Sequence, residues 1–251
     1  MLRTVQPLNT ALVVDSTAFY DQGRKLGLGS SAAVAVAICA ALGDGDRVVD
    51  ALPQALAAHA QFQGGRGSGA DLRAVAHGGT IVQRADGQGA LASLLGWPAG
   101  LEARAIMTTQ SAATLDHVRR FEAWRASDAN ASVRLDGRAA AASHVVTEWQ
   151  RADAAGIIEA MNAFTHEMRH IDAAAGLGYF AGVHDTLAEL ALAHGCFFKP
   201  CGAGGGDFGI ALSTSRDVLD GFAAAAVAAG AAAPEMTLGL ATPEIATEVP
   251  A

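Results

Sequence analysis

The segment Gly27-Leu28-Gly29-Ser30-Ser31-Ala32-Ala33 constrains this chain most, because it joins a flexible turn to an unbroken apolar run. Two glycines permit a tight turn and a close approach of backbone to a ligand. Two serines offer hydroxyls and a helix N-cap. Small and apolar side chains then continue from Ala32 to Leu42 without a breaker, which predicts a buried helix over 31–42. A helix start with bare N–H groups is an anion site. The segment therefore reads as a phosphate cradle.

Rival readings are narrower. A Walker A loop needs G-x-x-x-x-G-K-[ST], and here Lys25 precedes the glycines. The segment matches G-x-G-x-x-A, a variant of the dinucleotide fingerprint. That fingerprint needs a strand running into it, whereas Asp21-Gln22-Gly23-Arg24-Lys25 is polar and turn-like. A plain tight turn capped by Ser30 is the simple alternative.

Composition limits the partners. The chain has 251 residues, 51% of them hydrophobic and 17% charged, enough for a sizeable core. A net charge of −8 argues against a nucleic-acid surface, which needs clustered Lys and Arg. It leaves room for a local cationic pocket. Three cysteines, Cys39, Cys196 and Cys201, do not suggest a disulfide framework, and a reducing cytoplasm is expected. Cys196 and Cys201 lack a second pair of metal ligands. Residues 1–20 show no signal-peptide pattern. The run 222–233 is mostly alanine with Gly230, short for a membrane span.

Periodicity predicts strands at 10–14, 79–84, 101–108, 196–199 and 208–213. It predicts helices at 52–62, 70–76, 113–124, 138–154, 156–174, 182–194 and 216–229. Pro200 should end the strand before it. The glycine-bearing stretch 86–100 reads as a connection and lobe boundary, and the tail after Thr242 as loose.

Two more glycine segments need an explanation. Gly64-Gly65-Arg66-Gly67-Ser68-Gly69-Ala70-Asp71 ends in an aspartate suited to orient a hydroxyl or take its proton. The plainer reading of Asp71 is a turn or cap carboxylate. Ser68 is outside any G-x-S-x-G elbow. Lys199-Pro200-Cys201-Gly202-Ala203-Gly204-Gly205-Gly206-Asp207 suits a backbone pressed against a ligand or another loop, or a strained connection between strands.

Taken together, residues 25–33, 63–71 and 199–209 resemble the three ordered motifs of the GHMP kinase superfamily. The third is in a form typical of phosphomevalonate kinases, and Gln110-Ser111-Ala112-Ala113-Thr114 resembles a further segment of that group. The resemblance implies an α+β, two-lobed fold. Residues 1–95 would form an N-terminal lobe with the ATP phosphate loop, and residues 96–251 a ferredoxin-like C-terminal lobe with helices. Lys25, Gly27, Leu28, Gly29, Ser30, Ser31 and Ala32 would meet ATP, with Ser31 on Mg²⁺. Asp71 would be the catalytic base or orienter. Arg66, Ser68, Gly69, Lys199, Gly202, Ala203, Gly204, Gly205, Gly206 and Asp207 would shape the acceptor site. The implied reaction is ATP-dependent phosphorylation of a small anionic metabolite, first among them phosphomevalonate. Mevalonate or homoserine kinase-like activity and a non-catalytic nucleotide or metabolite binder are the alternatives, and a homodimer is left open.

The chain also departs from the pattern. Relatives carry a longer N-terminal portion with a P-G-K motif, whereas 26 residues precede Gly27, so the first lobe is expected to be incomplete. Some relatives place a metal-holding glutamate where His59-Ala60-Gln61 stands, and Cys201 replaces a commoner serine. Finally, His166-Glu167-Met168-Arg169-His170 spells H-E-x-x-H, the spacing of a zinc hydrolase helix. No third ligand is evident. Trp97, Trp124 and Trp149 read as packing residues.

Overall fold

The computed structural model describes residues 12–21, 24–62, 67–85, 90–108, 114–202, 204–206 and 208–235. They fall into two compact units, one within residues 1–76 and one within 77–242.

In the first unit, β1 (Tyr20–Asp21) and β2 (Arg24–Lys25) form a short antiparallel ladder. Helices α1 (Ser30–Leu42), α2 (Leu52–Phe62) and α3 (Ala70–His77) follow. Ala32, Val36, Ala55, Leu72 and Ala76 make the buried cluster among them. Small side chains on α1 let the neighbouring helices approach closely. The strand expected at 10–14 is not found over residues 12–14, and residues 10–11 lie outside the described residues. Among the described residues no strand pairs with 12–14, and an extended segment without a ladder is not held as a strand. Leu12, Val13 and Val14 instead border a cavity of about 350 Å³ along α1, with Phe19, Val34 and Ile38.

The second unit opens with a hairpin of β3 (Thr80–Ala85) and β4 (Ala90–Leu95), paired from Thr80↔Leu95 to Ala85↔Ala90. The stretch 86–100 was expected to be a connection, so β4 is a correction. Its sequence Ala-Leu-Ala-Ser-Leu-Leu has little β-branching, and pairing with β3 overrides that weak propensity. The main sheet is antiparallel, with β5 (Glu102–Met107), β7 (Phe208–Ser213) and β6 (Phe197–Pro200) in the order β5-β7-β6. The helices of this unit are α4 (Thr114–Ser127), α5 (Ala131–Gln150), α6 (Ala154–Ala175), α7 (Val183–His194) and α8 (Arg216–Ala228).

Alternation puts this sheet's residues into two cores. Ile106, Phe198 and Ala211 pack with Leu187 and Ala191 of α7 and with Leu219, Phe222 and Ala226 of α8. Phe197 and Leu212 pack instead with Leu101 and with Ile157 of α6. Pro200 does not break β6 but is its last residue, paired with Gly209. Since β6 has β7 as its one neighbour in the sheet order, the missing proline N–H removes no ladder bond. A third cluster, Trp124, Ala131, Ile171, Leu177, Tyr179 and Phe180, sits under the segment that leads into α7.

The tryptophans are packing residues as expected. Trp97 and Trp149 meet edge to face at 5.4 Å, and the Trp124 indole N–H donates to Asp128 at 2.8 Å. No described helix is long and apolar enough to cross a membrane.

Candidate functional site

The first glycine segment forms an uncapped helix start. Gly27 and Gly29 have φ of 69° and 73°, a region that an L side chain enters at a cost of about 1–2 kcal/mol. Gly29, and not Ser30, is the N-cap of α1, and no side chain caps this helix. The Ala33 N–H donates to the Gly29 carbonyl at 3.1 Å and starts the helical ladder. The amides ahead of it carry the positive end of the helix dipole. A Cβ built on Gly29 meets nothing within 4 Å, so the turn faces open space.

Behind the turn, Ala32 is fully buried in the core, while Ser31 is exposed. Ala32 can thus offer a ligand only backbone, whereas Ser31 can offer a hydroxyl. Ser30 is buried and Leu28 half-buried. The backbone of Lys25 lies in β2, and its side chain is outside the described residues.

The second segment is a tight entry into α3. Gly69 has φ 64°, and a Cβ there would lie 2.5 Å from Leu56 Cδ2 and 2.8 Å from an Arg73 guanidinium nitrogen. Ser68 Oγ accepts the Ala70 N–H at 3.3 Å. Asp71 is exposed, and its carboxylate accepts the Leu72 N–H at 2.9 Å. The local role expected of a turn carboxylate is therefore present. Sequence reasoning missed Arg73. Its guanidinium donates to the Ser68 and Gly69 carbonyls at 3.0 and 3.1 Å and clamps the loop from one helical turn on. The signal was its spacing of four from Gly69. Arg66 lies outside the described residues.

These two segments share one core. Ala32 and Leu72 belong to the same buried cluster, one residue beyond Ser31 and Asp71 respectively. The starts of α1 and α3 are thereby fixed to a common body.

The third segment belongs to the second unit and is shaped by packing within it. A Cβ on Gly204 would lie 2.5 Å from Tyr179 Cγ and 2.7 Å from Cε2. One on Gly205 would lie 2.9 Å from His117 Cε1 and 3.4 Å from the Gly178 carbonyl. The Gly205 N–H donates to the Tyr179 carbonyl at 2.9 Å. The buried Tyr179 hydroxyl donates to the Pro200 carbonyl at 2.7 Å, and Lys199 Nζ donates to the same oxygen at 2.6 Å. His184, fully buried on α7, has Nε2 3.1 Å from the Gly206 carbonyl.

Tyr179, His117 and His184 are therefore the loop's floor, and no local pattern around them signals that role. Gly202 differs: at φ 59° a Cβ meets nothing within 4 Å, so it faces open space. Burial pushes the Cys201 thiol up, with Lys199 pulling the other way. Ala203 and Asp207 lie outside the described residues, as do residues 110–113 of the 110–114 segment.

The H-E-x-x-H stretch lies on α6. His166 and His170 are exposed, and their Nε2 atoms are 2.9 Å apart. Glu167 points elsewhere, with its carboxylate against Gly137 of α5. No group of three His, Cys, Asp or Glu side chains suited to a metal occurs among the described residues.

No protein-family model matches the chain. It is 30% identical over 233 residues to the phosphomevalonate kinase of Streptomyces sp. strain CL190, covering 81% of this chain and 62% of that protein. The Lin0012 protein of Listeria innocua superposes with a TM-score of 0.80 at 21% identity, over 86% of this chain and 68% of that one. The Streptococcus pneumoniae phosphomevalonate kinase in complex with phosphomevalonate and AMPPNP gives 0.69 at 20% identity, over 85% and 69%.

The chain is thus similar in sequence to a phosphomevalonate kinase and in fold to these two solved structures. Its mixed α+β architecture is the one those structures show. It spans a little under two thirds of the curated relative it matches.

Proposed function

We propose that this chain transfers the γ-phosphoryl group of ATP to a small anionic metabolite, phosphomevalonate first among them, within a two-lobed GHMP kinase framework. One observation carries the reading. The uncapped start of α1, with Gly29 in open space and Ser31 exposed, is fixed to the same core as the start of α3, which carries Asp71. Similarity to a phosphomevalonate kinase adds the acceptor.

The residues present fit a triphosphate. Backbone N–H groups of residues 27–31 would bind the phosphate oxygens, aided by the α1 dipole. Lys25 and Ala32 flank that cradle in the same reading. Ser31 would hold Mg²⁺ through its hydroxyl, with water completing the shell. Bound Mg²⁺ supplies charge neutralisation on the β and γ phosphates. Arg66, Ser68, Gly69 and Lys199, with the loop 202–207, would line the acceptor side.

The acceptor decides the role of Asp71. In the transfer, an acceptor oxygen bonds to Pγ while the bond from Pγ to the bridging β oxygen breaks and ADP leaves. A phosphate acceptor is ionised near neutral pH and has no proton to give up. Asp71 then orients rather than deprotonates. A hydroxyl acceptor, as in mevalonate or homoserine, needs a base.

A panel of phosphomevalonate, mevalonate and homoserine with Mg·ATP, followed by ADP release, tests the reading. Turnover with phosphomevalonate above the other two supports it. ATP binding without transfer to any acceptor replaces it with a nucleotide-binding role.

A further inference from the structure

The H-E-x-x-H stretch is not absorbed by phosphoryl transfer, and its geometry has its own chemistry. His166 and His170 stand one turn apart on the exposed side of α6. Their rings meet edge to face at 4.4 Å, with Nε2 facing Nε2 at 2.9 Å. Two metal–nitrogen bonds of about 2.0–2.1 Å at a right angle span about 2.9 Å. A tetrahedral angle would need a wider separation. The pair is therefore spaced for two neighbouring positions of a square-planar or octahedral ion.

We propose that His166 and His170 form an exposed two-imidazole site that takes a divalent late transition metal of tetragonal preference, Cu²⁺ or Ni²⁺. Such ions favour imidazole ligands in that geometry. The hydrogen bond between the rings has one Nε2 as donor and the other as acceptor. To present both lone pairs, the donor ring moves its proton to Nδ1, a change of tautomer without change of charge. The protein supplies two ligands, and water or an incoming donor fills the rest, since no third His, Cys, Asp or Glu completes a described group.

This is not a hydrolase site. In the H-E-x-x-H mechanism the glutamate is the general base beside the metal. Here Glu167 lies against Gly137 of α5. Arg169 is committed to Asp185 at 3.0 Å and to the Phe180 ring at 4.2 Å, so it does not compete for the pair.

The test is a calorimetric titration of the full chain with NiCl₂, repeated on His166→Ala, His170→Ala, the double variant and Glu167→Gln. Either histidine variant should weaken binding by at least about tenfold, the loss that even an outer-shell partner of a metal costs. The double variant should bind no more weakly than either single one, because chelation needs both rings. Glu167→Gln should titrate like the parent chain. Circular dichroism checks that the variants stay folded. A titration unchanged by either histidine substitution, or losses that simply add, overturns the proposal.

Discussion

Replacing Gly204 by alanine tests how the third glycine loop is built. The residue sits at φ +70°, where a Cβ costs about 1–2 kcal/mol. That Cβ would also lie 2.5 Å from Tyr179 Cγ. The ring cannot swing aside freely, because its hydroxyl is bonded to Pro200 and its carbonyl to Gly205. Overpacking of this kind adds about 1–3 kcal/mol. Gly204→Ala should therefore lower unfolding free energy by about 2–5 kcal/mol in urea denaturation. Gly202→Ala is the control. It has the same left-handed backbone but open space, so it should lose only about 1–2 kcal/mol. In a Tyr179→Ala background, Gly204→Ala should fall to the control's cost, because the clash has gone. Equal losses at Gly202 and Gly204 in the parent chain would refute the packing account.

Other consequences are simpler to read. Leu72→Ala should lower the stability of the first unit by about 2–5 kcal/mol in denaturation, since Leu72 is 1% exposed at the centre of its core. Gly69→Ala should be costlier than Gly29→Ala in the same assay, because its Cβ meets Leu56 and Arg73 while that of Gly29 meets nothing. Burial pushes the Cys196 thiol up to about 11. The folded chain then holds a proton that the unfolded chain releases above its ordinary value near 9.0. Stability should fall as pH rises from that value towards 11 in a denaturation series, and Cys196→Ala should remove this part of the slope.

Local patterns made most elements legible. The unbroken run after Ser31 gave α1, and the alternation in residues 208–213 gave β7. What failed depended on distant partners. Ala90–Leu95 is a strand because β3 lies beside it, not because its residues favour one. Pro200 stays in β6 because that strand has a free side in the sheet order, a fact of topology.

The candidate site divides in the same way. Gly27 and Gly29 announced a left-handed turn, and Ser68 and Asp71 a helix entry. The floor under Gly204 and Gly205 comes from Tyr179 and His117, on separate segments of the chain. Ser30 was expected to cap α1, but the helix begins one residue earlier on Gly29, which leaves the first amides without a side-chain partner. That shift favours an anion site over a capped turn.

Phosphorus NMR of the chain with Mg·ATP and phosphomevalonate, beside the Asp71→Asn variant, tests the central claim most directly. Asp71 is exposed and bonds to Leu72 within its own turn, so the substitution should change stability by no more than about 0.5 kcal/mol. The account predicts a growing diphosphate product and ADP with the parent chain, slowed about a hundredfold in the variant, the cost of losing the group that orients the acceptor. Product formed equally fast by both, or by neither, would contradict it.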